Sequence, residues 1–301
     1  MVDVSVELAG IKLRNPTILA SGILGVSSSQ LIRVFEAGAG GVVTKSFTKE
    51  YREGYKTPII VAVKCGYLNA VGLANPGKQY IKDIVGPLKK KGIPVFVSIA
   101  GSSIEEFCEL GMEAEDSNAD AVELNLSCPH AEKRSIEIGR DPDLVARIVE
   151  ELKETIKLPV FVKLGLSDNL VNVMKRAEES GADGLVLINT VKGMAIDVWA
   201  KKPILSNKFG GLSGPAIHPI AVRVIYEAYE NVEIPIIGVG GVDDWESAVE
   251  MILAGAKAVQ IGSAIAYKGL EVFREIVRGI ENYLRENGYS KVDDIVGLAH
   301  E

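Results

Sequence analysis

The regular alternation of two kinds of segment constrains this sequence most. From Asn15 onward, short apolar runs rich in β-branched residues alternate with amphipathic segments, which is typical of β–α units around a parallel sheet. Three related phrases, at 36–41, 180–184 and 253–257, each read as a helix end, a glycine turn and the start of the next strand. Repetition of one unit favours a closed α/β barrel of the (β/α)8 TIM type over a doubly wound sheet. Eight strands are predicted, at 16–20, 41–45, 94–100, 121–126, 159–164, 184–189, 235–239 and 258–262.

The chain length and two long connections refine this prediction. A chain of 301 residues is compatible with one barrel, so a single domain over 1–301 is predicted. The connections at 46–77, after strand 2, and 191–214, after strand 6, are too long to be simple turns. Both leave the strand ends at which a barrel builds its site, and both contain apolar and glycine-rich phrases. They are therefore predicted to be long loops that act as lids or substrate walls.

Composition and charge exclude several classes of protein. The net charge is −7 and basic residues are interspersed with acidic ones, which argues against a nucleic-acid-binding surface. No apolar stretch is long enough for a membrane span, and the N-terminus lacks the pattern of a signal peptide. The three cysteines, Cys65, Cys108 and Cys128, form neither a zinc pattern nor a disulfide framework. No metal site is predicted, and a cytoplasmic location is expected.

The stretch at 121–130 is the first candidate for chemistry. An apolar run ends in Ser127, Cys128 and Pro129, and proline cannot continue a strand ladder. Asn125 is therefore expected at the strand end and Cys128 on the loop just beyond it. A cysteine at that position can act as a nucleophile, a metal ligand or a general base, although a buried structural thiol is the simpler interpretation.

Glycine phrases end the last two predicted strands. Gly240 and Gly241 follow strand 7, and Gly262 ends strand 8 with Ser263 directly after it. Glycines at these ends let backbone N–H groups approach a phosphate closely, and phosphate sites recur at this position in barrels. The two phrases together predict a phosphate site.

Lysines and amides end several other strands. Lys45 and Lys163 end strands 2 and 5, and a buried lysine needs a partner. A phosphate, a flavin edge or a substrate carboxylate would serve, as would a salt bridge to Glu123 or Asp183. An array of amides at strand ends and in the first long loop suits a planar ligand such as a pyrimidine or an isoalloxazine ring; its members are Asn69, Asn75, Asn125 and Asn189, with Thr190 beside the last.

Nine phrases carry a family resemblance through nearly the whole chain: NPTILASG at 15–22, TKS at 44–46, NAVGLANPG at 69–77, ELNLSCP at 123–129, VKL at 162–164, INT at 188–190, GGLSGP at 210–215, GVGG at 238–241 and GS at 262–263. With these the chain resembles the dihydroorotate dehydrogenases, flavin enzymes of pyrimidine synthesis. Within that family it is most similar to the class 1B catalytic subunits.

The resemblance implies that FMN lies across the barrel mouth with dihydroorotate stacked on it. Cys128 is implied as the general base that takes the C5 proton, while FMN takes the C6 hydride. Ser98 stands where relatives usually have an asparagine that contacts FMN. The implied FMN contacts are Ser21, Lys45, Ser46, Ser98, Asn125, Lys163, Ile188, Gly214, Gly240, Gly241, Gly262 and Ser263. The implied substrate contacts are Lys45, Asn69, Ala70, Val71, Gly72, Leu73, Asn125, Asn189 and Thr190.

The resemblance also implies partners. Class 1B enzymes pass electrons to a second subunit that carries FAD and a 2Fe-2S cluster, and then to NAD. The phrase at 210–214 points to this class. A homodimer of this chain, docked with two such partners in a heterotetramer, is the implied assembly.

Three alternatives remain open. The phrases SCPH at 127–130 and GRDPD at 139–143 also resemble the flavin domain of dihydropyrimidine dehydrogenases, which act on uncharged pyrimidines such as uracil. The loop at 69–73 and Lys45 suit a carboxylate, which uracil lacks, and so favour dihydroorotate. A non-flavin phosphate-binding barrel, such as an isomerase or aldolase that uses Lys163, is the second alternative, and a barrel without a site is the third. His218, which precedes Pro219, is predicted to lie on the surface at a helix start.

Overall fold

The computed structural model describes residues 2–126 and 138–301. Eight parallel strands form a closed barrel in which each strand pairs with its neighbours in the chain and the last pairs with the first. All eight predicted strands are confirmed, each to within two residues at either end. The strands are β1 (Thr17–Leu19), β2 (Gly41–Val43), β3 (Val95–Ile99), β4 (Ala121–Asn125), β5 (Val160–Leu164), β6 (Gly184–Leu187), β7 (Ile236–Val239) and β8 (Ala256–Ile261).

Helices cover the outside of the barrel. Their amphipathic faces bury residues such as Leu110 and Ile276 against strands that are themselves almost entirely apolar, as strands covered on both faces must be. Side-chain caps begin several of them; Asp244, for example, accepts a hydrogen bond from the Ser247 N–H at 2.8 Å. The described helices are Ser28–Glu36, Ile81–Lys90, Ile104–Asp116, Pro142–Thr155, Leu170–Glu179, His218–Tyr229, Trp245–Leu253, Ile265–Lys268 and Val272–Glu286.

The N-terminal segment adds a hairpin that the sequence analysis did not predict. Strands Val6–Leu8 and Ile11–Leu13 pair antiparallel and bury Leu8 and Leu13 in the main core. None of the helices in the described ranges is long and apolar enough to cross a bilayer.

The long connections predicted after strands 2 and 6 are confirmed, and parts of the two connections pair in one sheet, which the sequence analysis did not predict. Strands Ile60–Val63 and Gly66–Asn69 from the first connection join Val191–Gly193 and Gly210–Ser213 from the second in a four-stranded antiparallel sheet, the mouth sheet. Asn69 pairs with Gly211, which joins the two connections directly. A small apolar cluster under the sheet, formed by Leu68, Ala70 and Leu205, stabilises it.

Candidate active site

A cavity of about 300 Å³ lies at the carboxyl ends of the barrel strands and is bounded on one side by the mouth sheet. In this fold that end of the barrel carries the chemistry. Nearly all the sequence-predicted site residues that the structure describes line this one cavity. They are Ser21, Lys45, Ser46, Asn69, Val71, Gly72, Leu73, Asn125, Lys163, Ile188, Asn189, Thr190, Gly214, Gly240, Gly241, Gly262 and Ser263.

Two predicted site residues that the structure describes do not appear in that lining. Ser98 is fully buried behind Ser46, with the two hydroxyl oxygens 2.9 Å apart. Ala70 is also fully buried, in the cluster beneath the mouth sheet. Ser98 therefore supports a lining residue, and Ala70 packs the sheet that covers the cavity. Cys128 lies outside the described residues.

The amide side chains at the strand ends form a connected hydrogen-bond chain. Asn125 donates from Nδ2 to the Ser46 hydroxyl at 3.1 Å, and its Oδ1 accepts from Asn189 Nδ2 at 3.4 Å. The Asn189 side-chain oxygen Oδ1 in turn accepts from the Thr190 N–H at 2.8 Å. Ser46 also lies 3.3 Å from the Ser21 hydroxyl. Because these bonds fix which end of each amide faces which neighbour, the strands present an ordered set of donors and acceptors to a ligand.

A buried ion pair lies at the base of the cavity. Lys163 Nζ is 3.2 Å from Glu123 Oε1 and donates to Gln260 Oε1 at 3.0 Å, while Gln260 Nε2 donates to Glu123 Oε2 at 2.6 Å. The three residues are 4%, 1% and 2% exposed. The predicted alternative of a salt bridge to Glu123 is therefore confirmed, whereas Asp183 pairs with Lys153. Lys163 and Gln260 both line the cavity, so they face the space that a ligand would occupy.

Sequence reasoning missed Gln260. Its one signal was a polar residue inside the otherwise apolar run of β8, which a barrel interior accepts only when the side chain finds a partner. The mouth sheet also contributes Tyr67 and Ser213 to the lining, and neither was predicted.

The glycine turn after β7 has the shape of an anion cradle. Gly241 has φ +75°, and a Cβ there would lie 2.7 Å from His218 Cβ and 2.8 Å from the Gly214 carbonyl oxygen. Gly240, at φ +135°, would place a Cβ 2.9 Å from Ala221. Only glycine lets the backbone N–H groups approach a ligand at this turn. Among the described lining residues none is a carboxylate, Lys45 is cationic and the charge of Lys163 is paired with Glu123, so this cavity suits an anion.

His218 begins the helix His218–Tyr229, as predicted, but its side chain is not a surface group. It is 12% exposed and is held under the glycine turn. The prediction of a surface position was wrong because the direction of the His218 side chain depends on how the helix packs against β7. The local sequence does not reveal that packing.

We expect Gly241→Ala to weaken retention of a phosphate-bearing ligand by about tenfold or more, because the added methyl group strains the turn and displaces its N–H groups. Equilibrium dialysis against FMN measures this effect. Gly288→Ala is the matched control, since Gly288 has a similar φ of +78° and open space around its Cβ position. Equal losses in the two variants would contradict a ligand role for the turn.

Comparison with known proteins identifies the family. The family model described as dihydroorotate dehydrogenase matches residues 3–284. The dihydroorotate dehydrogenase B (NAD(+)) catalytic subunit of Pyrococcus furiosus is 49% identical over 304 residues, covering 100% of both chains. Its counterpart in Methanothermobacter thermautotrophicus is 47% identical over 298 residues, covering 98% of each chain. A relative in Aeropyrum pernix, 47% identical over 99% of this chain and 98% of its own, bears the provisional name dihydroorotate dehydrogenase A (fumarate).

A solved structure supports the fold independently. The crystal structure of DHODH in complex with ferulenol from Eimeria tenella superposes with a TM-score of 0.87, covering 99% of this chain and 89% of that chain at 21% identity. At that identity the likeness concerns the fold, and it agrees with the closed barrel described above. The family model and the full-length relatives together show that this chain belongs to the dihydroorotate dehydrogenase family.

Proposed function

We propose that this protein oxidises dihydroorotate to orotate at the described cavity, with FMN as its cofactor. The observation that carries the proposal is the convergence, in one cavity, of a glycine cradle suited to a phosphate and an ordered array of amides suited to planar rings. Lys45 lines the same cavity and supplies a cation for the substrate carboxylate. An uncharged pyrimidine would make no use of that charge.

The described residues fit FMN on chemical grounds. The turn at Gly240 and Gly241, together with Gly214, Gly262 and Ser263, would hold the phosphate through backbone donors. Lys163 and the amides of the barrel interior would face the ring and the ribityl chain. When bound, FMN supplies the acceptor for the hydride that leaves C6 of dihydroorotate.

We propose Cys128 as the general base that takes the C5 proton. It follows Asn125, which lines the cavity, by three residues, and a stretch of three residues spans at most about 11 Å. An ordinary thiol has a pKa of about 8.5, so nearby donors or a cation that favour the thiolate would let it accept a proton close to neutral pH. Asn125 and Asn189 would hold the ring amides of the substrate while the proton moves.

For the electron acceptor we propose a partner subunit that carries FAD and a 2Fe-2S cluster and passes electrons to NAD, with a homodimer of this chain at the centre of a heterotetramer. The names of the Pyrococcus and Methanothermobacter relatives, which denote NAD(+)-linked catalytic subunits, support this proposal. Fumarate is the second candidate acceptor, favoured by the name of the Aeropyrum relative. Turnover of the isolated chain with fumarate would decide in favour of the second candidate.

The proposal is tested by anaerobic titration of the purified, FMN-loaded chain. We expect dihydroorotate to bleach the flavin absorbance and dihydrouracil to leave it unchanged, because only dihydroorotate offers a carboxylate to Lys45. Bleaching by dihydrouracil instead would favour the uncharged-pyrimidine alternative. A chain that neither contains nor takes up FMN would contradict the flavin proposal altogether.

A further inference from the structure

His218 occupies an unusual position directly behind the glycine turn. Its Nδ1 lies 3.0 Å from the Gly240 carbonyl oxygen, and its Nε2 lies 2.9 Å from Glu250 Oε2. The side chain is 12% exposed, and its Cβ is the atom that a Cβ at Gly241 would meet first. His218 is thus the side chain that fixes the turn from the side opposite the cavity.

Both hydrogen-bond partners of this ring are acceptors. A carbonyl oxygen and a carboxylate can only receive protons, and a neutral imidazole has one N–H to give. The neutral ring can therefore satisfy Gly240 or Glu250 but not both. Only the doubly protonated imidazolium makes both hydrogen bonds that the geometry presents.

The bond to Gly240 sets the direction of a donor. In a planar trans peptide the C=O of one residue and the N–H of the next point in opposite directions. His218 holds the Gly240 carbonyl on its own side of the turn. Gly240 and Gly241 line the cavity and His218 does not, so the Gly241 N–H is directed towards the cavity.

We infer that His218 is a positioning residue for the phosphate of the cofactor, holding the Gly240–Gly241 peptide with its N–H towards the phosphate. This inference rests on the proposed function, which supplies the phosphate. Its consequence is that losing the His218 ring weakens the hold on the phosphate of FMN, whereas contacts to the flavin ring are unaffected.

The charged groups that face His218 come from the neighbouring helix Trp245–Leu253 and its cap. Glu250 accepts from the ring, and Asp244, the N-cap, interacts with it electrostatically. Lys268, which donates to the Asp243 carbonyl at 2.6 Å, is the cation close to Asp244. Glu250 is 58% exposed, so solvent screens its charge. Its main effect is therefore to orient the His218 ring, and it contributes little to the electrostatic potential at the glycine turn.

The experiment measures release of FMN from the holoenzyme on dilution, followed by the rise in flavin fluorescence. We expect His218→Gln to release FMN about tenfold faster than the wild type, because its amide nitrogen matches the position of Nε2, which faces Glu250, and not that of Nδ1, which faces the Gly240 carbonyl. His218→Asn, whose amide nitrogen matches the position of Nδ1, should keep slow release.

Riboflavin, which lacks the phosphate, separates positioning from general packing. Flavin-free wild type and His218→Gln should bind riboflavin equally well. Equal FMN release by wild type and His218→Gln, or a matching loss of riboflavin affinity, would overturn the inference. If His218→Gln fails to fold, His218→Asn decides, and fast FMN release from it counts against the inference. A wild-type chain that binds neither flavin contradicts the proposed function itself.

Discussion

Replacing Cys128 with alanine is expected to slow reduction of the bound flavin by dihydroorotate by about a hundredfold or more, while FMN stays bound. Positioned general bases contribute about 10²- to 10⁴-fold to a proton transfer, and alanine has no group that accepts a proton. The FMN contacts proposed for the cavity come from other residues, so retention of the cofactor should not change. Anaerobic stopped-flow absorbance at saturating dihydroorotate measures the reduction step directly.

The other two cysteines provide matched controls. Cys65, which is exposed, and Cys108, in the helix Ile104–Asp116, lie outside the lining of the cavity. Cys65→Ala and Cys108→Ala should therefore reduce flavin at the wild-type rate. Cys128→Ser should fall between wild type and alanine, because a hydroxyl is a much poorer proton acceptor than a thiolate. An unchanged single-turnover rate in Cys128→Ala would remove this residue from the mechanism.

The barrel was predictable because its signals are local. Each β–α unit can be recognised within about thirty residues of sequence, and parallel strands buried on both faces appear in the sequence as apolar runs. The mouth sheet is different, since it pairs Asn69 with Gly211, far apart in the chain. No local pattern fixes such a register; it depends on where the barrel places the two connections. Gly211 lies so close to Thr190 that a Cβ added to the glycine would be 2.0 Å from the Thr190 hydroxyl oxygen. This contact is likewise visible only in the three-dimensional structure.

The site was predictable to the extent that parallel strands converge at their carboxyl ends. Asn125, Lys163 and the glycine turn could be placed together because each ends a strand of the same barrel. What could not be predicted was which side chains lie behind the residues that line the cavity. Ser98 supports Ser46 without reaching the cavity, and Gln260 completes an ion pair. Such roles depend on side-chain directions across the barrel, which strand-end position alone does not give.

The ion pair at the base of the barrel should be costly to break from one side. Glu123→Gln is expected to lower the free energy of unfolding by about 3–5 kcal/mol, because it leaves the Lys163 ammonium buried without a counter-charge. The glutamine can replace only some of the original hydrogen bonds, since its NH₂ group is a donor like the partners it would face. Chemical denaturation at several FMN concentrations, extrapolated to zero FMN, measures the change, because bound FMN adds a stabilisation that depends on the affinity of each variant.

Two comparisons distinguish the buried pair from an ordinary surface contact. Glu109 pairs with Lys49 at 2.8 Å and Lys78 at 3.0 Å on the outside of the protein, so Glu109→Gln removes the same charge where solvent screens it. We expect a loss of about 1 kcal/mol or less there. Replacing all three buried partners by apolar residues, as Glu123→Leu with Lys163→Met and Gln260→Leu, should cost much less stability than Glu123→Gln alone, because no unpaired polar group remains. A triple variant at least as unstable as the single one would show that the group contributes net stability and is not merely costly to break.

The same triple variant should bind FMN more weakly than wild type, since Lys163 and Gln260 line the cavity. The two residues of the pair thus have different roles. Lys163 presents its ammonium group to the cavity, and Glu123 supplies the counter-charge that allows this ammonium group to be buried.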